Sequence, residues 1–202
     1  MLDRIALRWL RPAMDAGARG LARAGVHADQ VTLAAFGLGV AAAGAIALHH
    51  SGLGLVLIFA SRLCDGLDGA LARLTHPTDR GGFLDISFDF LFYAGVPLAF
   101  AFADPAANAL AAAALLAAFV GTASTFLAFA ALAARRGMVS EAFAQKGIYY
   151  LGGLTEATET IACFSLMCLW PAQFALFAWV FGALCVLTIA TRLWAGWRSF
   201  TP

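Results

Sequence analysis

The sequence predicts an all-α membrane protein: six transmembrane helices behind an N-terminal amphipathic interfacial helix, with both termini cytoplasmic. Three observations predict it. Of the 202 residues, 62% are hydrophobic and only 12% are charged, whereas a soluble domain carries about 25% charged residues. The mean hydropathy is +0.82. Six apolar segments have about the 20 residues that cross a bilayer as a helix, and turn-forming or charged breaks separate them.

Residues 1–30 form an N-terminal segment distinct from residues 31–202. They carry Arg4, Arg8, Arg11, Arg19 and Arg23, with Leu2, Ile5, Leu7, Trp9, Leu10 and Met14 between them. No uninterrupted apolar core or small-residue cleavage site is present, which excludes a signal peptide. An amphipathic helix of this kind either lies in the membrane interface or packs on the protein's own surface.

The six segments cover about 31–49, 52–72, 83–103, 107–134, 148–169 and 172–194. Lys and Arg fall on one side of them. Five lie in the N-terminal segment; Arg62, Arg73 and Arg80 lie in the region where span two gives way to span three. Arg135, Arg136 and Lys146 follow span four, and Arg192 and Arg198 close the chain. By the positive-inside rule this side is cytoplasmic. Of the 12 acidic residues, only Asp104 falls in an outward loop, so polar chemistry belongs to the inner face. A net charge of +1 provides no basic field for nucleic acid. Cys64, Cys163, Cys168 and Cys185 lie in apolar runs without metal-type spacing and read as buried free thiols.

The stretch CDGLDGALARLTHPTDRGGFLDISFDF, residues 64–90, places five aspartates between spans two and three. Asp65 and Asp68 are three apart, and Asp85 and Asp89 four apart, so each pair shares a helix face. The turn THPTDRG brings the two faces together. Carboxylates gathered beside hydrocarbon require protons or cations to balance them. An all-oxygen set suits Mg²⁺ or Mn²⁺ and leaves positions open for phosphate oxygens; two such ions would serve a phosphoryl displacement. Gly66 and Gly69 are costly inside a helix and allow a flat ligand, or a second helix, to approach. Arg73 is placed to fork onto phosphate or to anchor the helix end. Asp79 and His76 read as turn residues.

These residues resemble a known family. DGLDGALAR followed by GGFLDISFD is similar to the signature of the CDP-alcohol phosphatidyltransferases: Asp, two residues, Asp-Gly, two residues, Ala-Arg, usually eight residues, Gly, three residues, Asp, three residues, Asp. Here seven residues, not eight, separate Arg73 from Gly81. Upstream, HADQVTL resembles the family's Pro-Asn-x-Val/Ile-Thr entry to the first span, with Ala28-Asp29 in place of Pro-Asn, so that only Thr32 carries over.

The resemblance implies a six-helix transferase domain over 31–202 in the bacterial inner membrane, with its site on the cytoplasmic side. It implies transfer of a substituted phosphate from a CDP-linked donor, CDP-diacylglycerol above all, to an alcohol, with release of CMP in phospholipid synthesis. Asp65, Asp68, Asp85 and Asp89 would bind two ions, Mg²⁺ or Mn²⁺. Asp68, Gly69, Ala72, Arg73 and Thr32 would hold the CDP portion, and Asp89 would be the base. A homodimer is a further implication.

For the acceptor or a lipid phosphate, the candidates are Lys146, Arg135 and Arg136. Glu156 and Glu159 join them, on one face about two to three turns into span five. The competing reading is a cation transporter or channel that uses the aspartates as an ion site; it needs polar residues continuing outward, and the chain offers little beyond Thr122, Ser124 and Thr125.

Overall fold

A computed structural model describes residues 2–138 and 153–200, with side chains from Arg11 onward. Among the described residues every regular element is helical. The order is α1 (Leu2–Arg23), α2 (Ala28–Ala47), α3 (Ser51–Leu74), α4 (Asp79–Ala103), α5 (Pro105–Arg135), α6 (Ala157–Leu169) and α7 (Phe174–Ser199), with a 3₁₀ turn at Pro171–Gln173.

Turn chemistry sets the helix ends. After α1, Gly25 adopts φ 73°, and the amides of Gly25 and Val26 return to the carbonyls of Ala22 and Leu21. This Schellman closure satisfies carbonyls that the helix end leaves free. Gly137, at φ 62°, closes α5 in the same way through Ala134 and Ala133. His49 takes that position after α2 at φ 64°, a conformation that costs a residue with a Cβ. Asp104 accepts from the Ala107 amide at 3.1 Å, and Pro105 follows it as the first residue of α5, where a missing N–H is harmless.

Helices α2, α4 and α5, and α7 together with the turn before it, are long and apolar enough to cross a membrane. Helix α3 has 24 residues, but Arg62, Asp65, Asp68 and Arg73 crowd its second half. The predicted fifth span, 148–169, is not one continuous helix. Residues 153–156 are non-helical, and α6 has 13 residues, fewer than the roughly 20 that span hydrocarbon. The first part of that predicted span lies outside the described residues.

The bundle packs α2 against α3 and α4, α4 against α5, α5 against α7, and α3 against α6. Between membrane helices small residues permit the approach that the hydrophobic effect cannot drive in lipid. A Cβ on Gly39 would stand 2.8 Å from Phe92, and one on Gly121 would stand 2.5 Å from Ile189. Aromatic rings fill the centre: Phe100 stacks on Phe174 at 4.7 Å, and Phe92 and Phe119 meet Phe164 edge-on. Cys163, Cys168 and Cys185 are buried free thiols in this core. Large apolar side chains such as Leu110, Val120, Leu176 and Val180 cover the outside. Exposed Trp170 and Trp197 flank α7 at its two ends, where amphipathic indoles favour the membrane–water boundary.

Helix α1 packs on the protein. Met14, Ala18, Leu21 and Ala22 join Val31, Ala70 and Leu71 in a second apolar cluster. Arg11, Arg19 and Arg23 stay exposed.

Candidate active site

The site is built on the hairpin of α3 and α4. Helix α3 stops at Leu74, and residues 75–78 reverse the chain. The Thr78 hydroxyl then caps α4, accepting from the Gly81 amide at 3.0 Å. His76 lies in this exposed connection, as predicted, whereas Asp79 begins α4. Asp79 is exposed there, and its charge suits the positive end of the helix dipole. The short turn is pinned from α2: Asp29 pairs with Arg80, and a Cβ on Gly81 would come within 3.3 Å of the Asp29 carboxylate. The Asp that replaces the family's Asn is thus a tie between two helix starts.

This hairpin brings together three of the four expected carboxylates. One oxygen from each of Asp65, Asp68 and Asp85 lies within 4.8 Å of the others. Asp68 is 4% exposed, and its Oδ2 has no hydrogen-bond partner. A buried carboxylate oxygen without a partner is costly, so this oxygen is free to ligate. Three convergent carboxylates form a hard oxygen set that suits a divalent cation such as Mg²⁺ or Mn²⁺. Thr32, from α2, lies beside Asp68 and is itself buried; its hydroxyl donates to the Ala28 carbonyl at 3.1 Å.

Asp89 does not join the cluster. Its Oδ1 is 2.5 Å from Arg62 Nη1, and the same nitrogen stands 3.6 Å from Asp65 Oδ2. The guanidinium also lies 4.0 Å over the Phe92 ring and donates to Ser61 Oγ at 3.2 Å. Ser61 is fully buried and anchored to the Ala35 carbonyl at 2.7 Å. In the sequence Arg62 counts only among the inner-face charges. The signal available was its spacing, three residues before Asp65 on the aspartates' own helix.

The two glycines of the motif divide. Gly66 faces α1, where a Cβ would meet Met14 Sδ at 3.4 Å, so it serves helix packing rather than a ligand. A Cβ on Gly69 would stand 3.4 Å from Arg73 Nη1. The exposed Arg73 side chain therefore folds back one turn over bare backbone, beside the half-buried Ala72. This is a surface where a flat group could lie under a guanidinium.

Next to Asp89 on α4, Phe90 and Tyr93 line a cavity of about 300 Å³ between α4, α5, α6 and α7. Its polar lining includes Thr122, Thr160, Glu156 and Arg192. Arg192 is 8% exposed; its Nη1 donates to the Thr122 carbonyl at 3.0 Å, and a Cβ on Gly153 would stand 3.2 Å from its Nη2. In the sequence Arg192, too, stands only as a flanking charge.

The remaining acceptor candidates scatter. Glu156 does not lie two turns inside a helix: it is the N-cap of α6, and Glu159 is its reciprocal partner in a capping box. The Glu156 amide donates to Glu159 Oε2 at 3.2 Å, and Glu156 Oε1 accepts from the Gly153 amide at 3.1 Å. Arg135 and Arg136 are exposed at the end of α5. Arg136 donates to the Ser199 carbonyl at 3.4 Å and lies over Phe200, which ties α5 to α7. Lys146 lies outside the described residues.

A family model described as CDP-alcohol phosphatidyltransferase matches residues 26–194. The chain belongs to the CDP-alcohol phosphatidyltransferase family. The chain is also 54% identical over 199 residues to the inner membrane protein YnjF of Escherichia coli (strain K12), covering 98% of this chain and 97% of the relative. The fold matches Mycobacterium tuberculosis phosphatidylinositol phosphate synthase (PgsA1). The structure with CDP-DAG bound aligns with a TM-score of 0.72 at 21% identity, over 91% of this chain and 93% of that one. The structure in complex with manganese and citrate aligns with a TM-score of 0.71 at 23% identity, over 91% and 88%.

Proposed function

We propose that this chain transfers a phosphatidyl group from CDP-diacylglycerol to an alcohol and releases CMP, at the cytoplasmic face of a bacterial inner membrane. The observation that carries the reading is the juxtaposition on α4: a three-carboxylate cluster on one side of Asp89 and a polar-lined cavity on the other. The fold's match to a synthase with CDP-DAG bound supports the donor. The inner membrane relative supports the location, and the one-sided placement of Lys and Arg supports both termini inside.

The roles follow from position. Asp65, Asp68 and Asp85 would hold a divalent cation, which when bound offsets the charge of the donor's pyrophosphate. Gly69 and Ala72 would let the cytidine portion lie against α3, with Arg73 and Thr32 beside it. Asp89 takes the proton of the acceptor hydroxyl. The alcohol oxygen bonds to the phosphatidyl phosphorus, the bridging P–O bond breaks, and CMP leaves. Arg192 and Glu156 would line the acceptor's seat, so an acceptor bearing both an anionic group and hydroxyls fits it.

A cation pathway fits less well. The hydroxyls of Thr122, Ser124 and Thr125 donate to carbonyls of their own helix, Phe119 and Gly121 among them.

The test is CMP release by purified protein from CDP-diacylglycerol with a panel of alcohols and Mg²⁺ or Mn²⁺, each lipid product being identified by mass. Ion flux into liposomes without CMP release would support the transporter reading instead.

A further inference from the structure

The four aspartates do not share one environment. Asp65, Asp68 and Asp85 converge, with the buried Asp68 Oδ2 unpartnered. Asp89 instead meets a cation the chain already carries. Arg62 Nη1 is 2.5 Å from Asp89 and 3.6 Å from Asp65, so the guanidinium already supplies positive charge to those two carboxylates. The guanidinium is built in: Phe92 lies under it, and Ser61, itself fixed to Ala35, takes its second nitrogen. Its side chain is only 15% exposed.

We propose that this centre takes a single divalent cation, on Asp65, Asp68 and Asp85, and that Arg62 is the second cation, bridging Asp65 to Asp89 and orienting Asp89. The inference rests on the divalent-cation reading given above. A second ion would have to share Asp65 and Asp89 with a guanidinium that is fixed on several sides, and like charges so close repel strongly. Arg62 is thereby a positioning residue. Its charge substitutes for an ion, so a lysine should retain much of its role and a neutral residue should not.

The experiment counts Mn²⁺ bound to the purified full-length protein, with Mn²⁺ alone and again with CDP added. The wild type should bind one ion per chain in both cases. Arg62→Gln should bind two, because the vacated position lies between two uncompensated carboxylates, and Arg62→Lys should bind one. Asp89→Asn should still bind one, a result that does not depend on the Arg62 variants folding. Two ions in the wild type, or one in a folded Arg62→Gln, overturn the role given to Arg62. No ion in the wild type overturns the cation reading as well.

Discussion

Arg62 and Asp89 are 27 positions apart, and the guanidinium Nη1 touches the carboxylate Oδ1 at 2.5 Å. The contact joins α3 to α4 at the point where the carboxylate cluster ends and the polar cavity begins. If the guanidinium performs an ion's work there, activity in its absence should become more dependent on metal. In Arg62→Gln, CMP release at low Mn²⁺ should fall by roughly 100-fold, the scale of losing one positioned charge. It should recover in part at high Mn²⁺, with a steeper concentration dependence than the wild type. Rate measurements across a Mn²⁺ titration check this.

Asp68 should report the cost of an unpaired charge. Its Oδ2 is buried without a partner, so Asp68→Asn should stabilise the metal-free protein by about 1 kcal/mol or more while abolishing CMP release. Metal should raise the melting temperature of the wild type, by an amount equivalent to about 2.7 kcal/mol at 100 times Kd, and should leave Asp68→Asn unmoved. Thermal melts in detergent, with and without Mn²⁺, read both effects.

Arg192 lines the cavity at 8% exposure. Arg192→Gln should raise the KM for the acceptor by about 10- to 100-fold, the worth of a hydrogen bond to a charged group, and leave the KM for CDP-diacylglycerol within about threefold. Varying each substrate in turn separates the two. An equal rise in both constants would place Arg192 outside the acceptor's seat.

The hairpin and the pairing of aspartates on helix faces were legible because they depend on local spacing: three and four residues on a helix, with a Thr-His-Pro-Thr turn between. Arg62 was not, because its partner is a tertiary neighbour and a lone Arg at a span's inner end looks like an anchor. Arg192 was hidden for the same reason. The fifth span misled through composition. Apolar runs flank GGLTEATET on both sides, so the two glycines, two glutamates and three threonines of that stretch read as polar positions inside a span and not as the break they mark. The Glu156–Glu159 capping box uses a glutamate where Ser or Thr usually signals a helix start.

His49 offers a check on the backbone away from the site. It closes α2 at φ 64°, in the position glycine favours. His49→Gly should raise stability by about 1 kcal/mol with CMP release unchanged, as seen by thermal melting and an activity assay on the same preparation.

Phosphatidyl transfer is tested most directly by CMP release from CDP-diacylglycerol by wild type and by Asp89→Asn, side by side, with Mn²⁺ and an acceptor panel. The wild type should yield CMP and a new phospholipid with at least one alcohol, and a folded Asp89→Asn that still binds Mn²⁺ should lose at least about 100-fold. An Asp89→Asn that turns over at the wild-type rate, or a wild type that never yields CMP, would contradict it.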